Sequence, residues 1–88
     1  MTAVPAPVTM YSTTWCGYCF RLKKLMQREG TAFAEVDIEA DENAAEIVMS
    51  ANGGNRTVPT LVFADGTALT NPSLEQVKSR LEQASQAG

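Results

Sequence analysis

Cys16-Gly17-Tyr18-Cys19 sets two thiols three positions apart. Residues at that spacing on a helix hold their Cβ atoms roughly 5–6 Å apart. A disulfide asks for about 3.5–4.5 Å. A modest tightening of one turn makes or breaks the bond, so the pair suits reversible oxidation. A zinc site needs four ligands, and the chain has no third cysteine and no histidine to complete one. Two buried cysteines acting as small apolar side chains are the simpler alternative. That alternative fits Cys19 alone better than a pair that opens a helix.

The lack of histidine also removes the Ser-His-Asp triad, the Cys-His pair and imidazole-bound metals. A nucleophile here must be activated by backbone dipoles or nearby cations. Cys16 is placed for this at a helix start, where free N–H groups and roughly half a positive charge stabilise a thiolate. Thiols in such positions drop from about 8.5 into a range of about 3.5–7.5. Cys19 shares a stripe with Leu22 and Met26 and faces the core. Cys16 is therefore the expected nucleophile, and Cys19 resolves or waits.

The elements that hold this pair are legible from the pattern of residue types. Val8 to Tyr11 has the β-branched and aromatic character of a strand. Ser12, Thr13 and Thr14 supply hydroxyls suited to capping the helix that follows. Cys19, Leu22, Leu25 and Met26 fall at helical spacing, and Gly30 stops that helix. Phe33 to Ile38 alternates, with Ala34, Val36 and Ile38 inward and Glu35 and Asp37 outward. Asp41 to Asn43 offers a helix start. Ala44, Ile47, Val48 and Ala51 form the expected buried stripe, which Asn52-Gly53-Gly54 ends. Thr60 to Phe63 is a strand, Asp65-Gly66 a two-residue hairpin, and Thr67 to Leu69 the return. Asn71 or Ser73 caps a last helix, with Pro72 in its first turn and Leu74, Val77, Leu81 and Ala84 buried. The predicted order is β-α-β-α-β-β-α. The first βαβ unit makes a parallel pair and the hairpin an antiparallel one, so the sheet is mixed and four-stranded, flanked by three helices.

Composition sets the remaining bounds. With 88 residues, ten Asp plus Glu, seven Lys plus Arg and a net charge of −3, the chain lacks the basic balance of a nucleic-acid binder. A hydrophobic share of 44% fits a packed domain rather than a disordered tail. Apolar runs are too short to cross a membrane. Two cysteines are too few to staple a secreted mini-protein, so a cytoplasmic protein is expected. Residues 1–7 read as a flexible lead-in and 8–88 as one domain.

Trp15-Cys16-Gly17-Tyr18-Cys19, Thr57-Val58-Pro59 and the element order together resemble the glutaredoxins of the thioredoxin superfamily, over nearly the whole chain. More narrowly, Asn52 to Thr60, and Asp65-Gly66 followed by Thr70-Asn71-Pro72-Ser73, are similar to the actinobacterial mycoredoxins. Those act with mycothiol, a cysteine conjugate of a glucosaminyl-inositol. Two departures from the common glutaredoxin pattern fit the narrower likeness. Gly17 stands where glutaredoxins usually carry Pro, and Leu69-Thr70-Asn71-Pro72 replaces a Gly-Gly pair with polar or acidic followers. No Lys or Arg stands just ahead of Cys16. A site with few charges suits a sugar thiol better than a dicarboxylate peptide.

The resemblance implies a thioredoxin fold and a monothiol oxidoreductase that reduces mycothiol-protein mixed disulfides through Cys16. It implies mycothiol as co-substrate with no tightly bound cofactor, mycothiolated proteins as partners, and a flavin mycothiol-disulfide reductase acting indirectly. It also implies a monomer, a cis Val58-Pro59 bond facing the cysteines, and a Val58 backbone that pairs with the substrate cysteine like an added strand. Trp15, Tyr18, Arg21, Arg56, Thr57, Val58, Pro59 and Asn71 are the expected substrate-binding residues. Some keep two readings. Trp15 forms a contact platform or packs under its loop, Arg21 influences the thiolate or is solvated, and Arg56 orients the Val58-Pro59 loop or is solvated. The competing functions are a thioredoxin-reductase-dependent redoxin serving ribonucleotide reductase, and an iron–sulfur-bridged glutaredoxin-like carrier.

Overall fold

The computed structural model describes residues 7–87, with side chains through residue 83. The expected lead-in falls outside them except for Pro7, and so does the side chain of Ala84. The elements are β1 (Val8–Ser12), α1 (Gly17–Arg28), β2 (Ala34–Asp37), α2 (Glu42–Ala51), β3 (Thr60–Phe63), β4 (Ala68–Thr70) and α3 (Leu74–Ala87). This is the expected order.

The sheet runs β2-β1-β3-β4. β1 pairs parallel with β2, with Thr9 opposite Ala34 and Tyr11 opposite Val36. It pairs antiparallel with β3, which pairs antiparallel with β4. Side chains alternate across each strand, so the sheet has two apolar faces. Val8, Met10, Leu61 and Phe63 meet Cys19, Leu22, Met26 of α1 and Val77 of α3 on one face. Tyr11 and Ile38 meet Ala44, Ala45 and Val48 of α2 on the other. Cys19 thus belongs to the core that fixes α1.

The helix ends follow local chemistry. Gly30 adopts φ 74°, its N–H reaches the Gln27 carbonyl, and the Thr31 N–H reaches Met26. That paired arrangement closes the last turn of α1, and glycine is suited to the left-handed position it needs. Asp41 caps α2 by accepting the Asn43 N–H at 2.9 Å and the Ala44 N–H at 3.3 Å. Ser73 and Gln76 cap α3 reciprocally: the Ser73 N–H donates to Gln76 Oε1 at 2.8 Å, and the Gln76 N–H to Ser73 Oγ at 3.2 Å. Of the two expected caps, Ser73 does the work, and Pro72 lies just before the helix rather than within it.

Four further expectations need correction. Ile47 is 44% exposed and Ala51 is exposed, while Ala45 is buried. The small side chains at 44 and 45 let α2 sit against Tyr11 and Ile38, and that contact rotates Ile47 outward. Ala34 is exposed because β2 is an edge strand. The hairpin is one residue longer than expected. The Phe63 N–H donates to the Thr67 carbonyl at 2.8 Å, leaving Ala64, Asp65 and Gly66 as the loop, with Gly66 at φ 90°. The fourth concerns the cap of α1 and belongs with the site.

Candidate active site

Cys16, not one of the preceding hydroxyls, is the N-cap of α1. Its Sγ accepts the Cys19 N–H at 3.1 Å. Ser12 lies within β1, short of the helix start, and its hydroxyl donates to Glu35 Oε2 at 3.1 Å across the sheet. Thr13 is 7% exposed, and its hydroxyl has no hydrogen-bond partner among the described residues. The sulfur at the cap therefore receives the backbone donor of Cys19. This donor favours a thiolate over a thiol.

Cys16 and Cys19 form a disulfide with Cα atoms 5.3 Å apart, within the usual range of about 4.4–6.8 Å. The two sulfurs differ in surroundings. Cys19 is 1% exposed within the first core, whereas Cys16 is only partly buried against it. An attacking partner can reach Cys16 and not Cys19.

The Val58-Pro59 bond is cis. Val58 packs partly buried against the same core as Cys16 and also against the α2 core, so this loop sits at the same end of the sheet as the disulfide. A polar network pins it. Thr60, fully buried, donates through Oγ1 to the Thr57 carbonyl at 2.7 Å. Asn52 donates to Thr60 Oγ1 and to the Val48 carbonyl, each at 2.9 Å, and accepts from the Thr70 hydroxyl. The Asn71 N–H donates to the Pro59 carbonyl at 2.7 Å, with Asn71 held at φ 51°, a region that asparagine tolerates better than most residues. The structure therefore brings Cys16, Thr57, Val58, Pro59 and Asn71 to one end of the sheet.

The other expected residues are arranged differently. Tyr18 donates its hydroxyl to the Pro72 carbonyl at 2.8 Å, which makes it a tether while the residue stays 38% exposed. Trp15 is 71% exposed, with its indole N–H on Glu39 Oε1 at 3.0 Å, so it does not pack under its loop. Arg21 and Arg56 are exposed, and neither enters the two ion pairs of the described residues, Lys23–Glu35 and Lys78–Glu29. Sequence reasoning missed Asn52 as a positioning residue. Its signal was its type, since an asparagine that ends a helix is equipped to bond backbone and neighbours.

Sequence reasoning also missed a groove of about 330 Å³ beside the disulfide. Cys19, Phe20 and Lys23 line it from α1, Cys16 from the helix cap, Glu35 and Asp37 from β2, and Thr13 from the connection. The available signal was the helical spacing of 16, 20 and 23 together with the outward face of β2.

A half-accessible sulfur at a helix cap, bonded to a buried partner one turn on and carried by a mixed four-stranded sheet, defines a thiol-disulfide redox protein of thioredoxin-like fold. The chain belongs to the glutaredoxin family, whose family model matches residues 8–68. It is 56% identical over 78 residues to a protein of Mycobacterium tuberculosis named as a glutaredoxin, Rv3198A, covering 89% of this chain and 93% of that one. It is 44% identical over 75 residues to Mycoredoxin 1 of Corynebacterium glutamicum, covering 85% and 92%. The glutaredoxin structure from Methanosarcina mazei superposes with a TM-score of 0.75 at 26% identity, covering 86% of this chain and 78% of that one. The protein is thus a glutaredoxin-like oxidoreductase related to mycoredoxin. No helix of the described residues is long and apolar enough to cross a membrane.

Proposed function

We propose that this protein reduces mixed disulfides between mycothiol and protein cysteines by a monothiol cycle at Cys16. The observation that carries the reading is the asymmetry of the pair: a reachable Cys16 sulfur that accepts the Cys19 N–H at 3.1 Å, beside a Cys19 that is 1% exposed. Kinship with Mycoredoxin 1 supports mycothiol as the thiol.

In the first step the Cys16 thiolate attacks the mycothiol sulfur of the mixed disulfide. The protein–mycothiol S–S bond breaks, a Cys16–mycothiol disulfide forms, and the target leaves as a thiolate that takes a proton from water. In the second step a mycothiol thiolate attacks the mycothiol sulfur of that adduct, releasing Cys16 thiolate and mycothiol disulfide. A flavin reductase then returns the disulfide to two thiols, with two protons and two electrons that its flavin takes from the reductase's own reductant. The backbone of Val58 aligns the cysteine part of mycothiol as a short added strand, with Thr57, Pro59, Asn71 and Arg56 around it. Trp15, Tyr18 and Arg21 flank the attacking sulfur. The same reading has the protein working as a cytoplasmic monomer of one domain, residues 8–88, without a tightly bound cofactor.

The test is recycling of the oxidised protein by mycothiol plus mycothiol-disulfide reductase, run beside glutathione with its reductase and beside thioredoxin reductase alone. Turnover is expected with mycothiol. Turnover only with thioredoxin reductase overturns the reading.

A further inference from the structure

We infer that the groove on the β2 side of the disulfide receives the non-thiol part of the small thiol, and that it selects an uncharged polyhydroxylated group over an acidic one. The inference deepens the mycothiol reading and rests on it for the thiol's identity.

Position comes first. Cys16 itself is in the wall of the groove, so a molecule joined to Cys16 by a disulfide has its remaining atoms at the groove's mouth. The volume of about 330 Å³ lies at the lower end of the roughly 300–1,000 Å³ of small-molecule sites. It suits a small-molecule appendage rather than a folded partner.

Chemistry comes second. Phe20 is 59% exposed; Lys24 Nζ stands 5.2 Å from its ring centroid, and the rest of its apolar surface is offered to the C–H face of a sugar or cyclitol. Opposite it stand two carboxylates, Glu35 and Asp37, two residues apart and so on one face of β2. Glu35 accepts from Lys23 Nζ at 3.0 Å and from Ser12 Oγ. Asp37 accepts the Glu39 N–H through Oδ1 at 2.9 Å. Two carboxylates against one ammonium leave the lining with an excess of one negative charge. Ionised carboxylates are acceptors only, so they receive hydroxyl groups and repel a carboxylate ligand. Thr13, 7% exposed with an unpartnered hydroxyl, lines the same groove. An aromatic face with a few convergent acceptors is the pattern by which small sites fix polar ligands.

The experiment titrates the native protein with S-methylmycothiol and with S-methylglutathione, neither of which can form a disulfide, while backbone amides are followed by NMR. In parallel, KM is measured for mycothiol- and glutathione-mixed disulfides with Phe20→Ala and Asp37→Asn. S-methylmycothiol is expected to shift Phe20, Glu35 and Asp37, and S-methylglutathione to leave them in place. Phe20→Ala is expected to raise KM for the mycothiol substrate about tenfold, equivalent to losing one good contact. Asp37→Asn keeps the Oδ1 acceptor and removes the charge, so it is expected to lower KM for the glutathione substrate. Alkylation of Cys16 by iodoacetamide at the native rate in both variants shows that the disulfide end is intact. Native turnover with mycothiol, but no groove shifts and unchanged KM values in both variants, overturns this inference and leaves the mycothiol assignment standing. Absence of any native turnover with mycothiol overturns both.

Discussion

The Tyr18 hydroxyl donates to the Pro72 carbonyl at 2.8 Å, joining one of the two residues between the cysteines to the segment that leads into α3, 54 positions further along the chain. The bond holds the first turn of α1 to the segment between β4 and α3, where Asn71 also bonds Pro59. Tyr18→Phe removes this one bond and keeps the ring. The expected loss is about 0.5–1.5 kcal/mol of stability, read from the urea midpoint at unchanged m-value. An unshifted midpoint would show that water replaces the hydroxyl without cost.

Cys19→Ser is expected to retain turnover of mycothiol-mixed disulfides, whereas Cys16→Ser is expected to have none. Attack needs a sulfur that is both ionised and reachable, and only Cys16 is reachable. Cys19 enters when it attacks the Cys16 adduct and forms the internal disulfide, a side route for a monothiol substrate. Trapping the adduct on Cys19→Ser by mass spectrometry and then adding mycothiol measures the cycle directly. A Cys19→Ser variant as inactive as Cys16→Ser would make the chemistry dithiol throughout.

Asn52 ties the end of α2 to Thr60 and Thr70 at the base of the Thr57-Val58-Pro59 loop. Asn52→Ala leaves these hydroxyls short of a partner, Thr60 in a fully buried position. The expected cost is about 1–3 kcal/mol, together with faster hydrogen exchange at the Asn71 amide, which reports the Pro59 contact. Equal loss of protection across the whole sheet would mean that Asn52 supports the fold and not the loop in particular.

Lys78 on α3 and Glu29 at the end of α1 pair at 2.8 Å. The hydrogen bond from Lys78, then its charge, holds Glu29 below its ordinary 4.5. The same contact raises Lys78 above 10.5. A lowered carboxylate contributes stability that is present above its unfolded pKa and lost as pH falls through the lowered value. A raised ammonium contributes fully below its unfolded pKa and loses this as pH rises through the raised value. The pair therefore acts across the neutral range and vanishes at both ends. Lys78→Ala is expected to move the Glu29 carboxyl titration, followed by NMR, up toward 4.5. Because both groups are exposed, added salt is expected to produce part of the same shift in the native chain.

What the sequence determined by itself was mostly local. Cys16 and Cys19, the Asp41 cap, the Gly30 stop, and the strands at Val8 and Thr60 rest on side-chain chemistry acting within a turn or on simple periodicity, so residue type and spacing suffice to read them. The tertiary structure decided whatever depends on which surfaces meet. Residues 44, 47, 48 and 51 form as good a helical stripe as 44, 45 and 48. Only the approach of α2 to Tyr11 and Ile38 buried Ala45 and left Ile47 in solvent. Tyr18 was legible as a residue beside the cysteines, but not as a donor to Pro72, because nothing local marks a bond across 54 positions. The Ser12 hydroxyl is a local candidate for the α1 cap, but β1 runs through Ser12 and sets its hydroxyl against Glu35 of β2, while the Cys16 sulfur stands at the helix start and caps it. The groove exists only because α1 and the outward face of β2 stand apart on one side of the disulfide. Such a space belongs to the packing of two elements and is encoded in neither alone.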